Sequence, residues 1–176
     1  MMRLFYTLSL AAAVAAASAT PLAAQAAKPS APATPSKTAA PAAKKAGAAA
    51  GRTVEITGGD DMKFSVTSIA AKPGETIHVV LKNTGAVPKI AMAHNFVALK
   101  AGVDATKFSQ EAMTARETDY VPAGRTADIL ASTKLAGPGE TVEVTFKAPT
   151  KPGSYPYLCS FPGHFAAGMR GDIVVK

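Results

Sequence analysis

From Thr53 onward the chain is built of short runs rich in β-branched and aromatic residues, each soon cut off by Pro, Gly, Asn or Asp. Thr53–Thr57, Met62–Ile69, Glu75–Asn83, His94–Leu99, Thr141–Ala148, Ser154–Cys159 and Gly171–Val175 read as strands. Alternation such as Ile77, Val79, Leu81 and Val142, Val144, Phe146 gives several of them one apolar face, and a sheet with one apolar face must bury it against another layer. With Lys72-Pro73-Gly74 and Lys151-Pro152-Gly153 as turns, this spacing predicts an all-β fold, a Greek-key β-sandwich of seven to eight strands. One stretch breaks the pattern. Phe108, Ala112 and Ala115 recur at helical spacing behind Asp104, a suitable N-cap, so a short helix is expected within Asp104–Asp119, inserted between strands and packed on the outside of the sandwich.

Composition changes at Gly51. Before it, Met1-Met2-Arg3 precedes an apolar run from Leu4 to Ala17, and Ala17-Ser18-Ala19 and Ala24-Gln25-Ala26 both suit a signal peptidase. Residues 1–26 therefore read as a secretory signal peptide, too short in its apolar run for a spanning helix. Residues 27–50 contain only small residues, Pro and Lys, with no large apolar side chain to offset the entropy of ordering, and read as a disordered spacer. Residues 51–176 form the folded domain. The formal charge of +7 divides unevenly: residues 52–176 hold all 12 acidic residues and 14 of the 19 Lys and Arg, a balance of +2 with no basic cluster. That excludes nucleic-acid binding as the main function.

Cys159 is the only cysteine, so no internal disulfide is possible, and a lone thiol in an exported protein needs something to occupy it. It opens the segment Cys159-Ser160-Phe161-Pro162-Gly163-His164-Phe165-Ala166-Ala167-Gly168-Met169. A tight loop through Pro162 and Gly163 returns His164 beside the thiol, and a second through Gly168 presents Met169 before the last strand. His94 is the candidate for a fourth donor, because the start of its strand and the end of an antiparallel strand carrying Cys159 lie at one end of a sandwich. His78, amid Ile77 and Val79, reads as a surface residue. Singly, each His or Met is an ordinary residue; together, two imidazoles, one thiolate and a distant thioether are the donor set of blue copper electron-transfer sites. Structural zinc prefers four strong ligands, haem attachment lacks its C-x-x-C-H motif, a cysteine protease would leave one His without a role, and there is no Gly-x-Ser-x-Gly elbow.

On Pro88 to Phe96, Ser132-Thr133-Lys134-Leu135-Ala136-Gly137-Pro138-Gly139-Glu140 and Cys159 through Met169, the chain resembles the azurin and auracyanin branch of the small blue copper proteins, the cupredoxins. The resemblance implies a cupredoxin-like domain holding one copper ion, with His94, Cys159 and His164 as strong equatorial ligands and Met169 as a weak axial one. It further implies that Asn95 tethers the two ligand loops, that Ala93 stands where azurins place a Gly whose carbonyl approaches the metal, and that Phe161 lies beside the ligands. His164 and Met169 are separated by four residues, as in auracyanins and one more than in azurins.

By the same resemblance the protein shuttles single electrons by Cu(I)/Cu(II) cycling and is not an enzyme. The His164 edge becomes the electron port, and Met92, Phe161, Pro162, Phe165 and Ala166, with Pro88 nearby, become a small apolar docking patch. The implied partners are redox proteins such as c-type cytochromes or copper/haem oxidoreductases. The expected location is the periplasm or the outer face of the cytoplasmic membrane, with membrane association only through the N-terminal tail. A copper storage or delivery protein is the alternative, but it would favour Met-rich, exposed ligands, which the chain lacks. An oxidase or nitrite-reductase domain would need a second copper site, for which only His78 is left over.

Overall fold

The computed structural model describes residues 51–176; the expected signal peptide and spacer lie outside the described residues. Eight strands form two sheets. They are β1 (Arg52–Gly58), β2 (Ser68–Ala71), β3 (Thr76–Asn83), β4 (Val97–Leu99), β5 (Ile129–Ser132), β6 (Thr141–Lys147), β7 (Gly153–Leu158) and β8 (Arg170–Val175). One sheet has the order β1-β3-β6 and the other β2-β8-β7-β4-β5, so the chain crosses between layers after β1, β2, β3, β5 and β6. β1 and β3 run parallel, β3 and β6 antiparallel, and β7–β8 is an antiparallel hairpin closed by the Cys159–Met169 segment.

The period-2 pattern decides which faces meet. In β3, Ile77, Val79 and Leu81 are fully buried, and their antiparallel partners are Phe146, Val144 and Val142. Ile173 and Val175 of β8 and Tyr155 and Tyr157 of β7 supply the facing layer, with the Phe96 ring centroid 4.9 Å from Tyr157 and 6.4 Å from Phe146. His78 points the other way, bonded to Thr145 Oγ1 at 2.8 Å, and takes no part in the core.

A helix α1 (Ala105–Ala112) covers the outer face of the second sheet. Asp104 caps it by accepting from the Thr106 and Lys107 amides at 2.9 and 3.0 Å. Its Phe108 is buried against Val97, Leu99 and Leu158. β4 is therefore buried on both faces and shows no alternation.

Beyond shifts of a residue or so at strand ends, four features depart from the sequence expectation. Of Met62–Ile69 only the end is strand: Met62 adopts φ 55° in a turn closed by its amide to Gly59 O, and Phe64 makes a single bridge to Gly58. His94 precedes β4 and makes an isolated antiparallel bridge to Ala136 instead. β5, bracketed by irregular chain, carried too few residues for a period to show. The helix stops at Ala112 rather than running toward Asp119. Ala115, at φ −97° and ψ 42°, leaves helical geometry, and two 3₁₀ turns follow, Arg116–Thr118 and Ala123–Asp128, with left-handed Asp119 and Tyr120 between them.

Candidate metal centre

Cys159 leaves β7 with its amide bonded to Met169 O at 3.0 Å, which extends the β7–β8 ladder by one step and sets the two sulfur-bearing residues opposite each other. Between them the chain folds into consecutive tight turns. His164 N bonds Phe161 O at 3.1 Å, Ala167 N bonds Gly163 O at 3.0 Å, and Gly168 N bonds Phe165 O at 3.0 Å. Gly163 and Gly168 have φ of 84° and 98°, conformations a side chain resists. Met169 N returns to His164 O at 2.9 Å, so imidazole and thioether are carried by one closed turn.

His94 is brought in from the other ligand loop. It exchanges two backbone bonds with Ala136, His94 N to Ala136 O at 3.0 Å and Ala136 N to His94 O at 2.7 Å, while buried Asn83 donates to the same Ala136 carbonyl at 2.9 Å. The result is a buried cluster: the donor atoms of His94, Cys159 and His164 all lie within 4.8 Å of one another. The two Nδ1 atoms are 3.2 Å apart, and Cys159 Sγ is 3.4 Å from His164 Nδ1. The Ala93 carbonyl is 3.9 Å from the same sulfur. Met169 is fully buried, and a Cβ placed on Gly58 would fall 2.5 Å from its Cε and 3.3 Å from His94 Cδ2. A side chain at position 58 would push the Met169 methyl aside and crowd the His94 ring.

Burial dominates the electrostatics. It pushes the Cys159 thiol from its ordinary 9.0 up to about 12, against bonds from the Asn95 and Phe161 backbone that pull it down. Burial, with the neighbouring His94, lowers His164 from 6.5 to about 4, and burial likewise lowers His94, opposed by the Gly59 backbone and by Asp60 and Asp61. His94 Nε2 nonetheless makes no hydrogen bond of ordinary geometry. Two neutral imidazoles and a thiol thus converge in a dry pocket without carboxylates, a donor set suited to a soft, thiophilic cation, and such a cation would displace the thiol proton. The cluster fits copper.

These shifts fix how the metal-free fold answers to pH. Between pH 6.5 and about 4 the unfolded chain takes up a proton at His164 that the folded chain refuses, so stability falls on acidification. Between pH 9.0 and about 12 the folded chain keeps the Cys159 proton that the unfolded chain loses, and stability falls as pH rises. Thermal midpoints of the metal-free protein are therefore expected to peak between these windows; a higher midpoint near pH 5 than near pH 7.5 would contradict the assignment.

Around the donors, Asn95 Oδ1 accepts from Ser160 N at 2.8 Å, while its Nδ2 donates to Ser160 Oγ at 2.8 Å and to Asp119 O at 2.9 Å. The side chain joins the His94 loop, the residue after Cys159 and the 3₁₀ region. Asn95→Ala would leave the Ser160 amide buried and unpaired, and is expected to lower the unfolding free energy by about 2–4 kcal/mol in denaturant titration. Phe161 is buried with its ring centroid 4.8 Å from His164 and 5.1 Å from Tyr120. Of the apolar residues read as a patch, Phe161, Phe165 and Ala166 line one groove with Met113 of the helix end. Met92 and Pro162 are half-buried, Pro88 is exposed, and these three do not line that groove. Sequence reasoning missed Gly58, Met113 and Lys63, whose ammonium donates to the Ala167 carbonyl in the His164–Met169 turn. Each acts across a gap in sequence that no local pattern marks.

Comparison with known proteins agrees with this geometry. Residues 50–176 match the model of the family described as copper binding proteins, plastocyanin/azurin family. The chain is 36% identical over 127 residues to Auracyanin-A of Chloroflexus aurantiacus, covering 70% of this chain and 74% of that protein. It is 38% identical over 123 residues to an Azurin of Alcaligenes faecalis, covering 68% and 94%. A dithionite-reduced auracyanin from Roseiflexus castenholzii superposes with a TM-score of 0.63 at 40% identity, covering 70% of this chain and 96% of that one. The chain thus belongs to the plastocyanin/azurin family, as a blue copper cupredoxin of the azurin/auracyanin type whose cofactor is copper.

Proposed function

We propose that the protein is an exported carrier of single electrons in which His94, Cys159 and His164 would be the strong ligands of one copper ion and Met169 a weak thioether ligand. The family supports electron transfer, since azurins and auracyanins are electron carriers rather than enzymes. The observation that carries the reading here is the buried convergence of the three donor atoms within 4.8 Å. Copper so held supplies a one-electron couple, Cu(I)/Cu(II). The chain supplies the rest: the Ala136 bridge and the Asn95 bonds hold the donors in place, and the sandwich excludes water from them, which keeps rearrangement on electron transfer small. Of the three buried donor residues His164 is the least covered, at 2% exposure against 0% for the others, which suits its edge as the electron port.

On this reading residues 1–26 direct export and residues 27–50 separate the domain from whatever precedes it. The protein works in the periplasm or at the outer face of the cytoplasmic membrane, with c-type cytochromes or copper/haem oxidoreductases as partners. Burial of all the donors argues against a storage or delivery protein, which must release its metal readily. The test is to titrate the metal-free protein with Cu(II). One equivalent is expected to give an intense visible thiolate band that ascorbate bleaches and ferricyanide restores. Absence of the band, or bleaching that does not reverse, would refute the proposal.

A further inference from the structure

Among the described residues two large apolar side chains stand in water: Ile90 is 70% exposed and Met113 49%. Each lines a groove that Phe161 borders. Met113 lies in the groove with Phe165 and Ala166, of about 270 Å³, which extends the apolar patch already described. Ile90 lies in a second groove of about 210 Å³ with Lys89, Arg116, Tyr120, Leu135 and Phe161. This second groove differs in kind: its floor is apolar, its two charged members are both cations, and no carboxylate lines it.

The two cations are not equivalent. Lys89 is bonded to Glu140 at 2.7 Å, so its charge is largely answered. Arg116 is exposed and makes no salt bridge among the described residues. Its acidic neighbour Glu117 does not line the groove. A free guanidinium at the rim of an apolar floor can take a carboxylate in a two-pronged bond, while the floor accepts the apolar side chain beside that carboxylate. The groove also shares Phe161 with the ring contact to His164, so a partner seated there lies next to the proposed electron port.

We infer that the Ile90–Arg116 groove is a docking site for an acidic redox protein, which inserts an apolar side chain against Ile90 and Phe161 and sets a carboxylate on Arg116. The inference rests on the electron-carrier reading above. A second copy of this chain is a poor occupant, because a two-fold contact would oppose Lys89 and Arg116 with Lys89 and Arg116. A nucleic acid would need more than a balance of +2 over the domain. Rim charges of this kind act mainly on the association rate and fade with salt.

The experiment is stopped-flow electron exchange of the copper-loaded full chain with two cytochromes c, one of acidic and one of basic surface, at low and high ionic strength. The bimolecular rate constant with the acidic cytochrome is expected to fall about fivefold or more from low to high salt, and about tenfold at low salt in Arg116→Glu. Arg116→Lys should keep most of the rate. Ile90→Ser should lower it about threefold at either salt, since it removes apolar contact rather than charge. The basic cytochrome should show no such loss in Arg116→Glu. Equal rates with both cytochromes, or an unchanged salt dependence in Arg116→Glu, would overturn the inference. So would Arg116-dependent sedimentation of the protein with phosphatidylglycerol vesicles combined with indifference to the acidic cytochrome, which would make the groove a lipid site. Circular dichroism of each variant checks its fold. Reduction of the wild-type copper by hydroquinone separates the two readings: if it fails, the electron-carrier proposal falls, and if it succeeds while the cytochromes are not distinguished, only the docking inference falls.

Discussion

Cys159→Ser is expected to abolish the intense visible band of the copper-loaded protein and its electron exchange, while the metal-free fold survives. No other residue can replace the thiolate, because Cys159 is the only cysteine in the chain. A serine hydroxyl does not ionise in this range and offers a hard oxygen in place of a polarisable sulfur, so neither charge nor covalency with copper is retained. The fold should tolerate the change because the backbone of residue 159 is already anchored, its amide on Met169 O at 3.0 Å and the next amide on Asn95 Oδ1 at 2.8 Å. The expense is a buried hydroxyl whose neighbouring carbonyl, Ala93 O, lies 3.9 Å from the present sulfur, too far for a good hydrogen bond. About 1–3 kcal/mol of lost stability is expected, read as a fall of several degrees in the metal-free thermal midpoint. A variant that still turns blue would remove Cys159 from the centre.

Met169→Leu is expected to keep the band and raise the reduction potential by roughly 60 mV or more, a tenfold shift toward Cu(I) for a one-electron couple. On the proposed ligand set the thiolate and imidazoles that would produce the colour are untouched, whereas loss of a sulfur donor from an apolar pocket would disfavour the more charged oxidation state. The swap conserves volume, and both backbone bonds of residue 169, to His164 O and from Cys159 N, are independent of its side chain, so the stability change should stay below about 1.5 kcal/mol. The branched Leu must still fit beside Gly58, whose absent Cβ makes the space. An unchanged potential, measured by voltammetry on the copper-loaded protein, would show that the Met169 sulfur does not act on the metal.

Strands with one wet face could be read from the chain because a period of two survives only there. β3 and β6 show it, with Ile77, Val79 and Leu81 set against Phe146, Val144 and Val142. β4 does not, since α1 buries its outer face through Phe108 and leaves Val97–Leu99 apolar throughout. The helix was legible at its start, where Asp104 caps it, and not at its end, where Met113 follows Ala112 still in right-handed geometry and no glycine or proline marks the stop. Lys63 and Gly58 act on the centre from the β1–β2 region, and nothing in their local sequence points to a partner more than a hundred residues away.

What the sequence determined by itself was the local chemistry: one thiol, an imidazole and a thioether on a single loop whose glycines permit consecutive tight turns, together with alternating strands that must pair as layers. Short-range steric and hydrogen-bonding rules are enough to write that much. Only the tertiary structure decided that His94 closes the cluster through its bridge to Ala136, that Gly58 leaves space for Met169, and that Ile90 and Arg116 share a groove beside Phe161. Those contacts join residues far apart in the chain, and they exist because burying both apolar sheet faces against each other brings the loops at one end of the sandwich together.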